Sequence, residues 1–120
     1  MKKHVLVVDD SPTDRQMVAT LLQKEGYAVT TAIDGEDALQ KIAAEQPPLV
    51  VLDIVLPKMN GYQVLRQLKS APATRNIKVI LVSSKNQEAD RFWGLKQGAD
   101  DYIAKPIPYT ALLTAVARHF

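Results

Sequence analysis

Val5-Leu6-Val7-Val8-Asp9-Asp10-Ser11-Pro12 contains the end of one structural element and the start of the next. Four apolar residues, three of them valine, suit a strand buried on both faces. Asp9-Asp10 ends the run. Ser11 is an N-cap residue, and Pro12 follows at the first helical position, where a missing N–H costs nothing. Beyond it, Met17, Val18, Leu21 and Leu22 recur on one stripe of a helix. The reading is strand, acidic end, helix.

The same unit repeats along the chain. Further apolar runs lie at Tyr27–Ala32, Leu49–Leu52, Val79–Val82 and Tyr102–Ala104. Between and after them come helical stripes: Ala38, Leu39, Ile42 and Ala43; then Tyr62, Val64, Leu65 and Leu68; then Phe92, Leu95 and Ala99; then Leu112, Leu113, Val116 and Ala117. Gly26 and Gly98 sit where helix C-caps belong, and Pro47-Pro48 stops the second helix. Five strand–helix units in strict alternation imply an α/β fold, a parallel sheet with helices on both faces. In such doubly wound sheets, sites form at the carboxyl ends of the strands.

Composition narrows the functional classes. A chain of 120 residues fits one domain. It has no cysteine, which excludes a disulfide scaffold, a thiol catalyst and a cysteine-ligated metal. Lys+Arg 15 against Asp+Glu 13 gives a net charge of +2, too balanced to argue for nucleic acid or a membrane surface. Met1-Lys2-Lys3-His4 resembles the basic start of a signal peptide, but the apolar run behind it is too short for one. No stretch approaches the roughly 18 apolar residues of a membrane span. The expected location is the cytoplasm.

The chemistry therefore belongs at the strand ends. They carry Asp9-Asp10, Asp53, Ser83-Ser84 and Lys105-Pro106. One polar residue at a strand end is ordinary. Three carboxylates, a hydroxyl and a lysine along the same edge are not. Converging carboxylates repel one another and call for raised pKa values or a cation. Hard oxygen donors with room for water suit Mg2+. A lysine can meet a phosphate oxygen, and a carboxylate can attack phosphorus to form an acyl phosphate. Phosphoryl transfer then needs mainly positioning and charge neutralisation. Other chemistries lack their residues. There is no Gly-x-x-x-x-Gly-Lys loop, no Gly-x-Gly-x-x-Gly fingerprint and no Gly-x-Ser-x-Gly elbow. His4 and His119 lie at opposite ends of the chain without ligand spacing.

Four separated motifs carry a family resemblance: Val5-Leu6-Val7-Val8-Asp9-Asp10-Ser11; Val50-Val51-Leu52-Asp53-Ile54-Val55-Leu56-Pro57-Lys58-Met59-Asn60-Gly61; Val82-Ser83-Ser84-Lys85; and Gly98-Ala99 with Tyr102 and Lys105-Pro106. In this order and spacing the chain resembles the receiver domain of bacterial two-component response regulators, over its whole length. The resemblance implies a CheY-like, flavodoxin-like fold, with a five-stranded parallel sheet in order 2-1-3-4-5 and five helices. It implies Asp53 as phosphoacceptor. Mg2+ (or Mn2+) would be held by Asp10 directly, by Asp9 mainly through water, by Asp53 and by the backbone carbonyl of Val55. Lys105 would pair with the phosphoryl group, next to a cis bond to Pro106. Ser83 would be the switch hydroxyl and Tyr102 the switch aromatic, turning inward as Ser83 moves. Gly61 would permit the turn after Pro57. Val55 and Lys85 stand where the family tunes the acyl phosphate's lifetime.

The implied function is a stand-alone response regulator, one receiver domain over residues 1–120 with no output domain. It would accept a phosphoryl group from a histidine kinase or phosphotransfer domain, with no turnover of an external substrate. A downstream protein would meet the face made by the fourth helix, fifth strand and fifth helix, where Trp93 and Tyr102 are candidate contacts. No nucleic acid or membrane is involved, and a monomer is expected. Asp90 to Ala99 resembles regulators of type IV pilus motility, in twitching and phototaxis. A phosphate sink draining a shared kinase needs the same residues and stays open. A small aspartyl-phosphate phosphohydrolase fits less well, because Asp53-Ile54-Val55 lacks a second carboxylate two residues on.

Overall fold

The computed structural model describes residues 3–85 and 87–120. Met1 and Lys2, part of the basic N-terminal stretch, lie outside them. The elements alternate throughout: β1 (His4–Val8), α1 (Pro12–Lys24), β2 (Ala28–Ala32), α2 (Gly35–Glu45), β3 (Leu49–Asp53), α3 (Gly61–Ser70), β4 (Lys78–Ser83), α4 (Glu88–Lys96), β5 (Asp101–Ala104) and α5 (Tyr109–Arg118). The five strands are parallel and ordered β2-β1-β3-β4-β5. Among the described residues, no helix is long and apolar enough to cross a membrane.

Alternation along each strand divides the core into two layers. Leu6 and Val8 of β1, Val50 and Leu52 of β3 and Leu81 of β4 pack with Ile42, Val64, Leu65 and Leu68 of α2 and α3. Val5, Val7, Leu49, Val51, Ile80 and Val82 point the other way, onto Val18 and Leu22 of α1 and Leu112 and Val116 of α5. The three inner strands are therefore apolar on both faces. Each fully buried Val or Leu contributes about 1.5–3 kcal/mol.

The boundaries follow local chemistry. Ser11 caps α1, its side chain accepting from the Asp14 N–H at 3.3 Å. Gly26 and Gly98 follow α1 and α4 in the left-handed region, at φ +93° and +108°. Asn60 and Gln63 form a reciprocal capping box that starts α3. β2 is an edge strand and only half-buried. Its side chains and backbone are engaged from the flank. Thr30 bonds His4 and Glu45, and Lys41 of α2 donates to the Thr31 carbonyl.

The α4 stripe differs from the sequence expectation. Phe92, Trp93 and Leu95 are 66%, 51% and 38% exposed. The buried residue of this helix is Gly94, and Ala99 is buried beyond its end. The helix lies so close to β4 and β5 that only a residue without a side chain fits between them. A Cβ on Gly94 would sit 2.9 Å from Tyr102 Cδ2 and 3.0 Å from Leu81 Cδ1. Trp93, a candidate partner contact, is half-exposed.

Candidate functional site

The carboxyl edge of the sheet gathers side chains from four strands. Asp9 follows β1 directly. It is buried, and its Oδ1 accepts from the Ser11 N–H at 2.9 Å. Asp10 beside it is exposed. Asp53 is the last residue of β3 and is buried, with Oδ1 accepting from the Val55 N–H at 3.1 Å. Ser83 ends β4 and is fully buried. Lys105 follows β5, its N–H donating to the Ser83 carbonyl at 2.7 Å, and the Lys105–Pro106 bond is cis.

Lys105 reaches back over the edge. Its Nζ lies 3.1 Å from Asp9 Oδ2, 3.1 Å from Asp53 Oδ2 and 3.0 Å from Asp14 Oδ2. Asp9, Asp10 and Asp53 each offer an oxygen within 4.8 Å of the others. Three hard anionic donors at that spacing, one of them open to solvent, have the chemistry of a Mg2+ site that keeps several waters. The structure thus brings Asp9, Asp10, Asp53 and Lys105 together. Val55 joins them through its N–H on Asp53.

Ser83 and Tyr102 are placed differently. The Ser83 hydroxyl accepts from the Lys85 N–H at 3.1 Å, and the Tyr102 hydroxyl donates to the Lys85 carbonyl at 2.7 Å. Both side chains therefore grip the backbone of Lys85, and Ser83 meets Lys105 through its carbonyl. Tyr102 is 3% exposed and stands inward, in the room that Gly94 leaves. As placed, it is part of the core and presents no contact to a partner. The exposed aromatics of this region are Phe92 and Trp93. In Gly94→Ala the Tyr102 ring should be displaced, at a cost of about 1–3 kcal/mol for overpacking. The better helix propensity of alanine offsets up to ~1 kcal/mol of that. Urea unfolding gives the loss, and NMR shifts of the Tyr102 ring give its cause; an unmoved ring would mean that Leu81 yields instead.

Asp14 was absent from the sequence expectation. It occupies the third position of α1, where the Ser11 cap aims the first helical turn at the strand edge. An acidic residue at that position, after an acidic strand end, is the signal that could have found it. Gly61 is present for a different reason from the one expected. Its φ is not positive; the left-handed residue in this loop is Lys58, at φ +66°. Instead, a Cβ on Gly61 would stand 2.4 Å from the Asp53 carbonyl oxygen. The chain closes onto the end of β3, and only hydrogen fits.

The electrostatics follow from crowding. Burial, reinforced by the charge of Asp9, raises Asp53 from 3.8 to about 6, although Lys105 and the Val55 N–H oppose the shift. For Lys105 burial works against the charge, but the carboxylates of Asp14, Asp9 and Asp53 outweigh it and hold the ammonium above its ordinary value. Asp53 thus holds its proton to higher pH than an ordinary aspartate, beside a lysine that stays cationic.

The model of the response regulator receiver domain matches residues 5–117. The chain belongs to that family. Among its relatives is protein PilH of Pseudomonas aeruginosa, 42% identical over 112 residues that cover 93% of each chain. Protein PilG of the same organism is 43% identical over 115 residues, 96% of this chain and 85% of PilG. The chemotaxis response regulator CheY4 of Vibrio cholerae superposes over the full length of both chains, with a TM-score of 0.92 at 28% identity. A putative response regulator from Chloroflexus aurantiacus gives a TM-score of 0.95 at 29% identity, over 99% of this chain and 98% of that one. A receiver domain is a signalling module, and the acidic edge described above is where this one gathers its charge.

Proposed function

We propose that this receiver domain accepts a phosphoryl group on Asp53 and uses it to change a protein-binding surface. The observation that supports this most directly is Lys105. One ammonium bridges Asp9 and Asp53, at the ends of different strands, at hydrogen-bond distance. In the proposed reaction an Asp53 oxygen attacks the phosphorus of a phosphohistidine. The new O–P bond forms as the N–P bond breaks, and the imidazole departs. Lys105 turns a donor toward a phosphoryl oxygen. Mg2+, or Mn2+, held by Asp9, Asp10, Asp53 and the carbonyl of Val55, would supply charge neutralisation at the same oxygens.

The output follows from the grip on Lys85. The Ser83 hydroxyl, which accepts from the Lys85 N–H, still has its own O–H to donate, and a phosphoryl oxygen that takes it draws the side chain away from Lys85. Tyr102 holds the other side of the same residue, at the start of the segment that leads into α4. Moving a two-state surface from 1:99 to 99:1 takes about 5.5 kcal/mol. One charge-assisted bond from Lys105 and one from Ser83, at ~1.5–3 kcal/mol each, supply much of that. The surface that changes is the face of α4, β5 and α5. Phe92 and Trp93, both exposed, are the anchors an output protein would meet there. PilH and PilG carry pilus names, and a role in type IV pilus motility signalling is the pathway this reading favours.

The test is direct. The purified protein is incubated with Mg2+ and acetyl phosphate, and its intact mass is read. One labile phosphoryl group is expected, absent from Asp53→Asn and from a metal-free control. No gain on rapid quench would overturn the proposal in favour of a constitutive binding module.

A further inference from the structure

We infer that Asp14 is a positioning residue for phosphoryl transfer: it holds Lys105 on a third carboxylate, which the lysine must leave to serve the phosphoryl group. The inference rests on the proposed reaction at Asp53. A lysine ammonium has three N–H donors and no more. Here all three are used, on Asp9, Asp14 and Asp53, at 3.1, 3.0 and 3.1 Å. A phosphoryl oxygen can gain a bond from Lys105 only if one of these is given up.

Burial decides which one. The side chains of Asp9 and Asp53 are 6% and 7% exposed, and that of Asp14 is 41% exposed. The pairs with the two buried carboxylates are screened little by water. A half-exposed one is taken over by water, and its ion pair is weak to begin with. Asp14 is therefore the carboxylate that releases Lys105.

Asp14 is also anchored at its backbone, on a helix and not at a strand end. It belongs to the first turn of α1, where its N–H is held by the Ser11 side chain. It is outside the trio of carboxylates that approach within 4.8 Å of one another. Its influence passes through Lys105, to which all three carboxylates bond. The pairing joins residues 91 positions apart, from the start of the first helix to the end of the last strand.

The experiment measures the rate of phosphoryl gain from acetyl phosphate at saturating Mg2+, by intact mass. Asp14→Asn, and Asp14→Ser as a second neutral variant, should accelerate it roughly two- to fivefold, the range that loss of one exposed ion pair covers. Asp14→Glu, which keeps the charge, should return the rate to that of the wild type. In a Lys105→Gln background the Asp14→Asn change should have no further effect. An unchanged rate in both neutral variants would overturn the inference, as would the same acceleration with Lys105 replaced. These results are distinct from failure of the underlying reaction, which would appear as no phosphoryl gain by the wild type itself and would remove the ground for both.

Discussion

Asp53→Asn should melt several degrees above the wild type at pH 7.5 without divalent metal. Asp53 is buried beside Asp9, and its pKa in the folded protein is about 6 against an ordinary 3.8. A carboxyl group whose pKa is raised on folding favours the folded state when protonated. Its contribution is fully present below about 3.8 and is lost as the pH rises through about 6. Near pH 7.5 the wild type therefore carries the whole penalty. A shift of this size corresponds to about 3 kcal/mol at the limit, and water reaching the cleft reduces that to roughly 1–2 kcal/mol. The asparagine oxygen can still accept from the Val55 N–H, so the change removes charge and little else. Thermal melts at pH 5 and pH 7.5 test this. The wild type should gain stability on acidification through this window, and the variant much less. Added Mg2+ should narrow the gap by raising the wild type. A variant that melts lower at pH 7.5 would show that attraction to Lys105 exceeds both burial and the repulsion from Asp9.

Gly61→Ala should be the most damaging small substitution in the chain. The added methyl would stand 2.4 Å from the Asp53 carbonyl oxygen, 2.8 Å from Ile54 Cα and 3.1 Å from the Asp53 carbonyl carbon. All three are backbone atoms, so no side chain can rotate away. The loop also closes here, with the Gly61 N–H donating to the Ile54 carbonyl at 2.8 Å. Relief requires moving the end of β3 or the start of α3. A loss of about 3 kcal/mol or more is expected, at the upper end of single substitutions. Because the displaced backbone is that of Asp53, phosphoryl uptake should fall even at temperatures where the variant is folded. Gly26→Ala is the contrast. Gly26 has φ +93° and nothing within 4 Å of an added Cβ, so only the left-handed backbone cost of about 1–2 kcal/mol applies. Equal losses in the two variants would mean that the β3–α3 loop yields easily.

Much of this architecture was legible in the sequence, because the inner strands are apolar on both faces and the breaks between elements fall at Ser, Pro and Gly. Alternation alone implied a parallel sheet covered on both sides; the strand order came with the family resemblance. The residues at the strand ends were legible because a doubly wound sheet exposes one edge to chemistry. The misreadings share a cause. Stripe reasoning places large apolar side chains inward, and it fails in α4, where the approach to Tyr102 admits only Gly94 and turns Phe92, Trp93 and Leu95 outward. Tyr102 came with the family resemblance, as switch aromatic and candidate contact; its burial depends on how near α4 lies, which strand pattern does not report. Asp14 was passed over because its partner lies at the far end of the chain, although its place in the first turn after an acidic strand end was a signal. Gly61 was singled out correctly, but the distance to Asp53 that explains it exists only in three dimensions.

A sheet with an open flank invites a neighbour's strand to join it, the first step toward aggregation. β2 is such a flank, yet its own chain already occupies part of it. The Lys41 ammonium covers the Thr31 carbonyl, and His4 and Glu45 converge on Thr30. An incoming strand would have to displace a charged side chain and a hydrogen-bonded cluster before adding its first ladder bond. On this flank the domain is thus guarded against growing its sheet outward.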